Sequence, residues 1–119
     1  MPSISASDPA FSALGYWRGF VWAPQIQIVY WGLKHPRYRN VKEVQTVRKA
    51  MVLQAATLER EVWQSSGHIC ENFCPGNVST FHSGGIAPGK AECCGGPMYH
   101  WGALTGFISL LEAGLYEQQ

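Results

Sequence analysis

Apolar residues recur at helical spacing in three stretches of the chain. Trp22, Ile26, Val29, Tyr30 and Leu33 follow helical spacing, with Pro24 suited to a first turn and Pro36 beyond the end; this predicts a helix over about 23–34. Val44, Val47, Met51, Ala55, Leu58 and Val62 form a longer stripe opposite Lys42, Glu43, Lys49 and Arg60, which predicts a helix over about 41–64. Trp101, Leu104, Ile108, Leu111 and Leu115, widened by Phe107 and frayed at Gly114, predict a third over about 100–113. The fold class expected is all-α.

The segments around these helices carry no period. Residues 1–15 are rich in Ser, Ala and Pro and read as an extended N-terminal arm, and residues 117–119 read as a tail. Between the second and third helices some 35 residues hold most of the Gly, Cys and His, far beyond the usual connection of about four to six. A loop of that length is expected to carry function. Three helices separated in this way share too little surface to bury five Trp, five Tyr and five Phe, so residues 16–116 read as part of a larger helical domain.

Charge changes this picture only locally. Charged residues are 14% of the chain against roughly a quarter in ordinary soluble domains, which implies surface meant to be covered. A net charge of +1 gives no global field toward nucleic acid or an anionic membrane, although six of the nine basic residues fall between Lys34 and Lys49. No apolar run approaches a membrane span of about 20 residues, and Met1 to Asp8 lacks the apolar core of a signal peptide, so the compartment stays open. Cys70, Cys74, Cys93 and Cys94 allow three pairings or none, and Asn77-Val78-Ser79 fits a glycosylation sequon.

Three motifs carry a resemblance. Gly15-Tyr16-Trp17-Arg18-Gly19-Phe20-Val21-Trp22-Ala23-Pro24 resembles the YWRGPxW element of glycoside hydrolase family 63 and of related trehalase-like and mannosylglycerate hydrolase-like domains. His68-Ile69-Cys70-Glu71-Asn72-Phe73 is similar to the family's H-x-x-E-N-Y segment, and Tyr99-His100-Trp101-Gly102-Ala103-Leu104 supplies the third match. Phe20 stands where the family usually has Pro or Arg, and Cys74 and the Cys93-Cys94 pair replace commoner polar residues. The resemblance implies the C-terminal hairpins of an (α/α)6 toroid. It also implies hydrolysis of α-linked glucosides or mannosides with inversion, and it implies no cofactor.

Within that frame Glu71 is the expected general base, the family's Glu. Inverting enzymes pair such a carboxylate with an acid about 6.5–9.5 Å away. The family's acid, an Asp, belongs to a segment not present here, so the chain is expected to contribute a base and part of a sugar pocket and to be inactive or nearly so alone. None of Glu43, Glu59, Glu61, Glu92, Glu112 or Glu117 has the context of the acid, and Asp8 is only a weak candidate. If residues 69–73 are extended, Ile69, Glu71 and Phe73 share a side, which would set the carboxylate among apolar groups with Asn72 pointing away.

Tyr16, Trp17, Arg18, Gly19, Trp22, Asn72, His100 and Trp101 complete the expected substrate site. The Trp faces suit sugar stacking, although Trp22 on a helix is more readily core, and Arg18 offers planar donors to a hydroxyl or to Glu71. Tyr99 and His100 precede the last helix, whose N-terminal amides suit an anionic group. The partners expected are a carbohydrate and the rest of the toroid or a second copy.

Two other readings compete. The four cysteines with His68, His82 and His100 supply ligands for a zinc module, but gaps of three and zero residues differ from paired C-x-x-C knuckles, and no metal is expected in the site. Lys34, Arg37, Arg39, Lys42, Arg48 and Lys49 with Tyr30, Trp31 and Tyr38 could form a nucleic-acid-binding helix pair, or simply a solvated turn and helix start.

Overall fold

The computed structural model describes residues 4–5, 7–12, 15–74, 93–97 and 100–115. The element order is a 3-10 turn Tyr16–Arg18, helix α1 Ala23–Leu33, a 3-10 turn Pro36–Tyr38, helix α2 Lys42–Ser66 and helix α3 Leu104–Glu112. The all-α class holds: no strand is formed among the described residues, and each pair of helices is in contact.

Local chemistry sets the helix ends. Trp22 enters α1 from extended backbone and Pro24 sits in its first turn, where a missing N–H has no consequence. Pro36, two residues after the Lys34 cap, prevents continuation. Helix α2 stops at Gly67, which adopts φ 71° and donates its N–H to the Trp63 carbonyl, a left-handed cap that favours glycine.

Helix α3 is shorter than its apolar stripe predicts. His100 to Ala103 form turns, with Ala103 N–H donating to His100 O and Leu104 N–H to Trp101 O. Gly102 explains the delay, because its backbone lies against residues 69 and 70 so closely that a Cβ there would collide with the Cys70 carbonyl.

The described part of residues 1–15 is turned rather than extended. Asp8 N–H donates to Ser5 O, Phe11 N–H to Asp8 O, and Ala10 N–H to the Asp8 carboxylate, an Asx turn that a run of short polar residues supports.

The core joins Val21, Ile26 and Tyr30 from the first part of the chain to Val52, Ala55 and Val62 of α2, Phe73, and Ile108 of α3. At one end Arg48 forms a two-pronged pair with Glu112, with Nη2 at 2.9 Å from Oε1, and the buried Tyr30 hydroxyl donates to Glu112 Oε2 at 3.1 Å. Lys34 Nζ lies 5.7 Å from the centre of the Tyr30 ring, and Arg37 stacks 4.6 Å over Tyr38. Several members of the basic cluster therefore serve the fold.

Other apolar positions stay uncovered. Val47, Leu53 and Trp63 on α2 and Ile28 and Trp31 on α1 are exposed, and an open groove of about 410 Å³ runs between α1 and α2 past Val29, Leu33, Val47 and Met51. No helix among the described residues is long and apolar enough to cross a membrane.

Candidate active site

Three short segments meet beside the N-terminal end of α1. Val21 and Phe73 exchange both backbone hydrogen bonds at 2.9 Å, forming an antiparallel bridge. Phe73 also bridges to Cys93, and Cys70 to Pro97. Glu71 N–H donates to Gly96 O at 2.9 Å, and Cys94 N–H to Asn72 O at 3.2 Å. Two disulfides, Cys70–Cys93 and Cys74–Cys94, fasten the same pair of segments. Paired bridges and cross-links hold residues 70–74, bent at Glu71 and Asn72, without a regular sheet.

That frame presents Glu71. Its Oε1 accepts a hydrogen bond from the Tyr16 hydroxyl at 3.0 Å, and Oε2 accepts one from Gly96 N–H at 3.4 Å. The carboxylate is partly exposed and held by polar donors, so its setting differs from the apolar one that strict alternation along 69–73 predicts. The pattern fails because the chain bends at Glu71 and Asn72, which breaks the alternation of an extended strand, while Tyr16 crosses to Glu71 from another part of the chain.

Tyr16 reaches Glu71 through unusual backbone. Its φ is 52°, the one positive value at a non-glycine among the described residues, in the left-handed region that side chains disfavour by about 1 kcal/mol or more. Aromatic packing holds it there. Its ring meets Trp22 edge-on at 4.8 Å and Trp17 at 5.5 Å, and Trp22 Nε1 donates to the Tyr16 carbonyl.

Trp17 lies parallel to Trp22, with centroids 3.7 Å apart and planes at 14°, and remains 44% exposed. Trp22 is fully buried. Trp22 therefore forms the platform beneath Trp17 and offers no face to a sugar, a correction to its place among the expected substrate contacts. Trp101 joins the cluster 6.2 Å from Trp17, with His100 beside it and exposed.

Arg18 is exposed, and the side-chain donor to Glu71 is Tyr16 rather than Arg18. Gly19 is buried at the end of the 3-10 turn. Asn72 is fully buried, and neither polar atom of its side chain has a hydrogen-bond partner among the described residues. Enclosed in this way, its side chain is not open to a ligand in this structure.

The other partly buried acids are engaged elsewhere. Glu59 bonds to Thr105, and Glu112 holds Arg48 and Tyr30. Burial raises the Glu59 carboxyl above its ordinary value, partly offset by the Thr105 hydrogen bond. These contacts leave neither of them beside Glu71.

Cysteine pairing also bears on the zinc reading. No cysteine is free among the described residues, and a disulfide sulfur lacks the thiolate charge that zinc requires. The sequon at Asn77, together with His82, Glu92, Tyr99, Glu117 and the 117–119 tail, lies outside the described residues. Sequence reasoning missed the contributions of Gly95 and Gly96, for which the Gly-Gly doublet was the available signal. A Cβ on Gly95 would come within 2.7 Å of Asn72 Nδ2 and 2.9 Å of Glu71 Oε2.

The model of one protein family, described as the mannosylglycerate hydrolase MGH1-like glycoside hydrolase domain, matches residues 1–102. No curated protein and no solved structure matches the chain.

Proposed function

The chain belongs to the mannosylglycerate hydrolase MGH1-like glycoside hydrolase family, and from that premise we propose that Glu71 is the general base of an inverting glycosidase. The observation that carries this reading is a carboxylate held at both oxygens, by Tyr16 and by Gly96, next to an exposed tryptophan face. A base must present a lone pair to water in a fixed direction. The two donors supply that direction and leave the carboxylate partly open to solvent.

Trp17, backed by Trp22, is the surface on which a sugar ring stacks, with Trp101 and His100 along its edge. Tyr16, Arg18 and the buried Gly19 shape the floor, and the Asn72 carbonyl, which accepts from Cys94 N–H, helps hold the Glu71 segment. Inversion needs an acid about 6.5–9.5 Å from the base, with water between base and anomeric carbon. In this reading the acid comes from further helices of a toroid, in the same or an associated polypeptide, and the uncovered faces of α1 and α2 are where they pack. The substrate class is an α-linked glucoside or mannoside, and the reaction needs no cofactor.

The test is hydrolysis of aryl and natural α-glucosides and α-mannosides by the wild-type chain and by Glu71→Gln, with the product anomer read by proton NMR. The reading expects turnover only when the acid-bearing helices are supplied, and then the inverted anomer, with a rate lowered by about 10²-fold or more in the variant. Turnover unaffected by the substitution, or a retained anomer, overturns it. The same sugars titrated against the Trp17 indole resonance report binding independently of turnover, and the shift should vanish in Trp17→Ala.

A further inference from the structure

The chain just beyond α2 holds a histidine that Glu71 chemistry does not use. Gly67 turns the backbone, and the His68 ring folds back so that Nδ1 lies 2.9 Å from the Ser66 carbonyl oxygen. A carbonyl can only accept, so Nδ1 carries a proton, and in the neutral imidazole Nε2 presents a lone pair. That lone pair faces Cys93 Sγ at 3.4 Å. Cys93 is bonded to Cys70 and has no proton to offer in return.

The ligand atoms of His68, Cys70 and Cys93 all lie within 4.8 Å of one another. An imidazole whose far nitrogen is tied to a backbone carbonyl is the arrangement that orients metal-binding histidines. Zinc–nitrogen and zinc–sulfur bonds of about 2.0 and 2.3 Å imply an N···S edge of roughly 3.5 Å in a tetrahedral site. The His68–Cys93 separation of 3.4 Å already matches that edge. The two sulfurs need to part to roughly 3.8 Å on zinc. Rotation about each Cα–Cβ bond can supply this from the present Cα–Cα distance of 5.5 Å.

We propose that, once the Cys70–Cys93 disulfide is reduced, His68 Nε2 and the two cysteine thiolates bind one zinc ion. A dithiol or phosphine reductant delivers two electrons, and two protons convert the disulfide to two thiols. Zinc then displaces those protons, and water completes the tetrahedron. Thiolate and imidazole together select zinc over harder cations.

Among the described residues the Cys74–Cys94 pair has no third ligand of this kind. The metal would replace a covalent clamp with a coordinate one across the segments that carry Glu71 and Gly96. The proposal is independent of whether Glu71 is catalytic.

The experiment titrates Co²⁺, as the probe, into the full chain reduced with a phosphine under anaerobic conditions, followed by displacement with Zn²⁺. One equivalent should give tetrahedral and thiolate charge-transfer absorption in wild type and in the Cys74→Ser/Cys94→Ser double variant, and none in the oxidised chain. His68→Ala should weaken binding at least ~10-fold, the scale on which even outer partners of a ligand act. Cys93→Ser should lose about half of the charge-transfer intensity, one of two thiolates being absent. No band in the reduced wild type, a band of unchanged affinity in His68→Ala, or a band lost in the Cys74/Cys94 double variant each overturns the proposal.

Discussion

The Tyr16 hydroxyl donates to Glu71 Oε1 at 3.0 Å across 55 residues of sequence, and Tyr16 adopts left-handed backbone to do so. A strained residue at a carboxylate persists when its surroundings over-determine it, and here the Trp17–Trp22 stack does so. Tyr16→Phe keeps the ring and removes only the donor. Because the bond is exposed, thermal unfolding should change by less than about 1 kcal/mol. The Glu71 side-chain carboxyl carbon should nevertheless shift in an NMR spectrum at constant pH. An unmoved Glu71 signal would show that the bond does not persist in solution.

Gly95 and Gly102 hold the two closest approaches around the Glu71 segment. Gly102→Ala places a methyl group in the Cys70 carbonyl, backbone against backbone, and should cost about 3 kcal/mol or more because neither side can rotate away. Gly95→Ala meets side-chain atoms rather than a carbonyl, Asn72 Nδ2 and Glu71 Oε2, which can move, and Glu71 Cβ. It should cost less in urea unfolding yet displace the Glu71 carboxylate, seen as a changed Gly96 amide resonance. Equal costs for the two substitutions would contradict this assignment of contacts.

How far these relationships were legible in the sequence depends on their range. Helices α1 and α2 followed from apolar spacing and, for α1, from Pro24 and Pro36, all local signals, and their ends lie within two residues of expectation. The late start of α3 was not legible, because it depends on Gly102 abutting residue 70, a tertiary approach that no period encodes. Glu71 was visible through its motif. The donors that hold it were not, since one comes from a residue in positive φ and the other from a backbone N–H, which every residue but proline carries. Trp22, expected among the substrate contacts although more readily core, lies wholly inside, with Trp17 stacked over it.

Tyr30, Arg48 and Glu112 form the polar tie between all three helices. Burial, then the Glu112 hydrogen bond, pushes the Tyr30 phenol up to about 12 from 10.0. Between those values the unfolded chain has lost the proton that the folded chain still holds, so stability is intact below pH 10 and falls as pH rises toward 12. Urea midpoints measured from pH 9 upward should decline more steeply in wild type than in Tyr30→Phe. Glu112→Ala, which strands both the buried hydroxyl and Arg48, should cost roughly 2–4 kcal/mol at pH 7. A smaller loss than in Tyr30→Phe would break the proposed tie.

Glu59 gives the opposite practical sign to most carboxylates. Burial holds its folded value above the ordinary 4.5, with the Thr105 hydrogen bond opposing. Thr105 Oγ1 also lies 2.7 Å from the Gly102 carbonyl, and one hydroxyl proton cannot serve both acceptors. A protonated Glu59 resolves the conflict by donating to Thr105, which then donates to Gly102. Above pH 4.5 the unfolded chain releases this proton more readily than the folded one, so ionisation of Glu59 weakens the fold as pH rises through its raised value. Glu59→Gln, which can donate an N–H in place of the acid proton, should unfold at a higher temperature than wild type at pH 7. The difference should close below pH 4.5, where wild type is protonated in both states. A variant less stable than wild type at pH 7 would mean that the ionised Glu59–Thr105 bond outweighs burial.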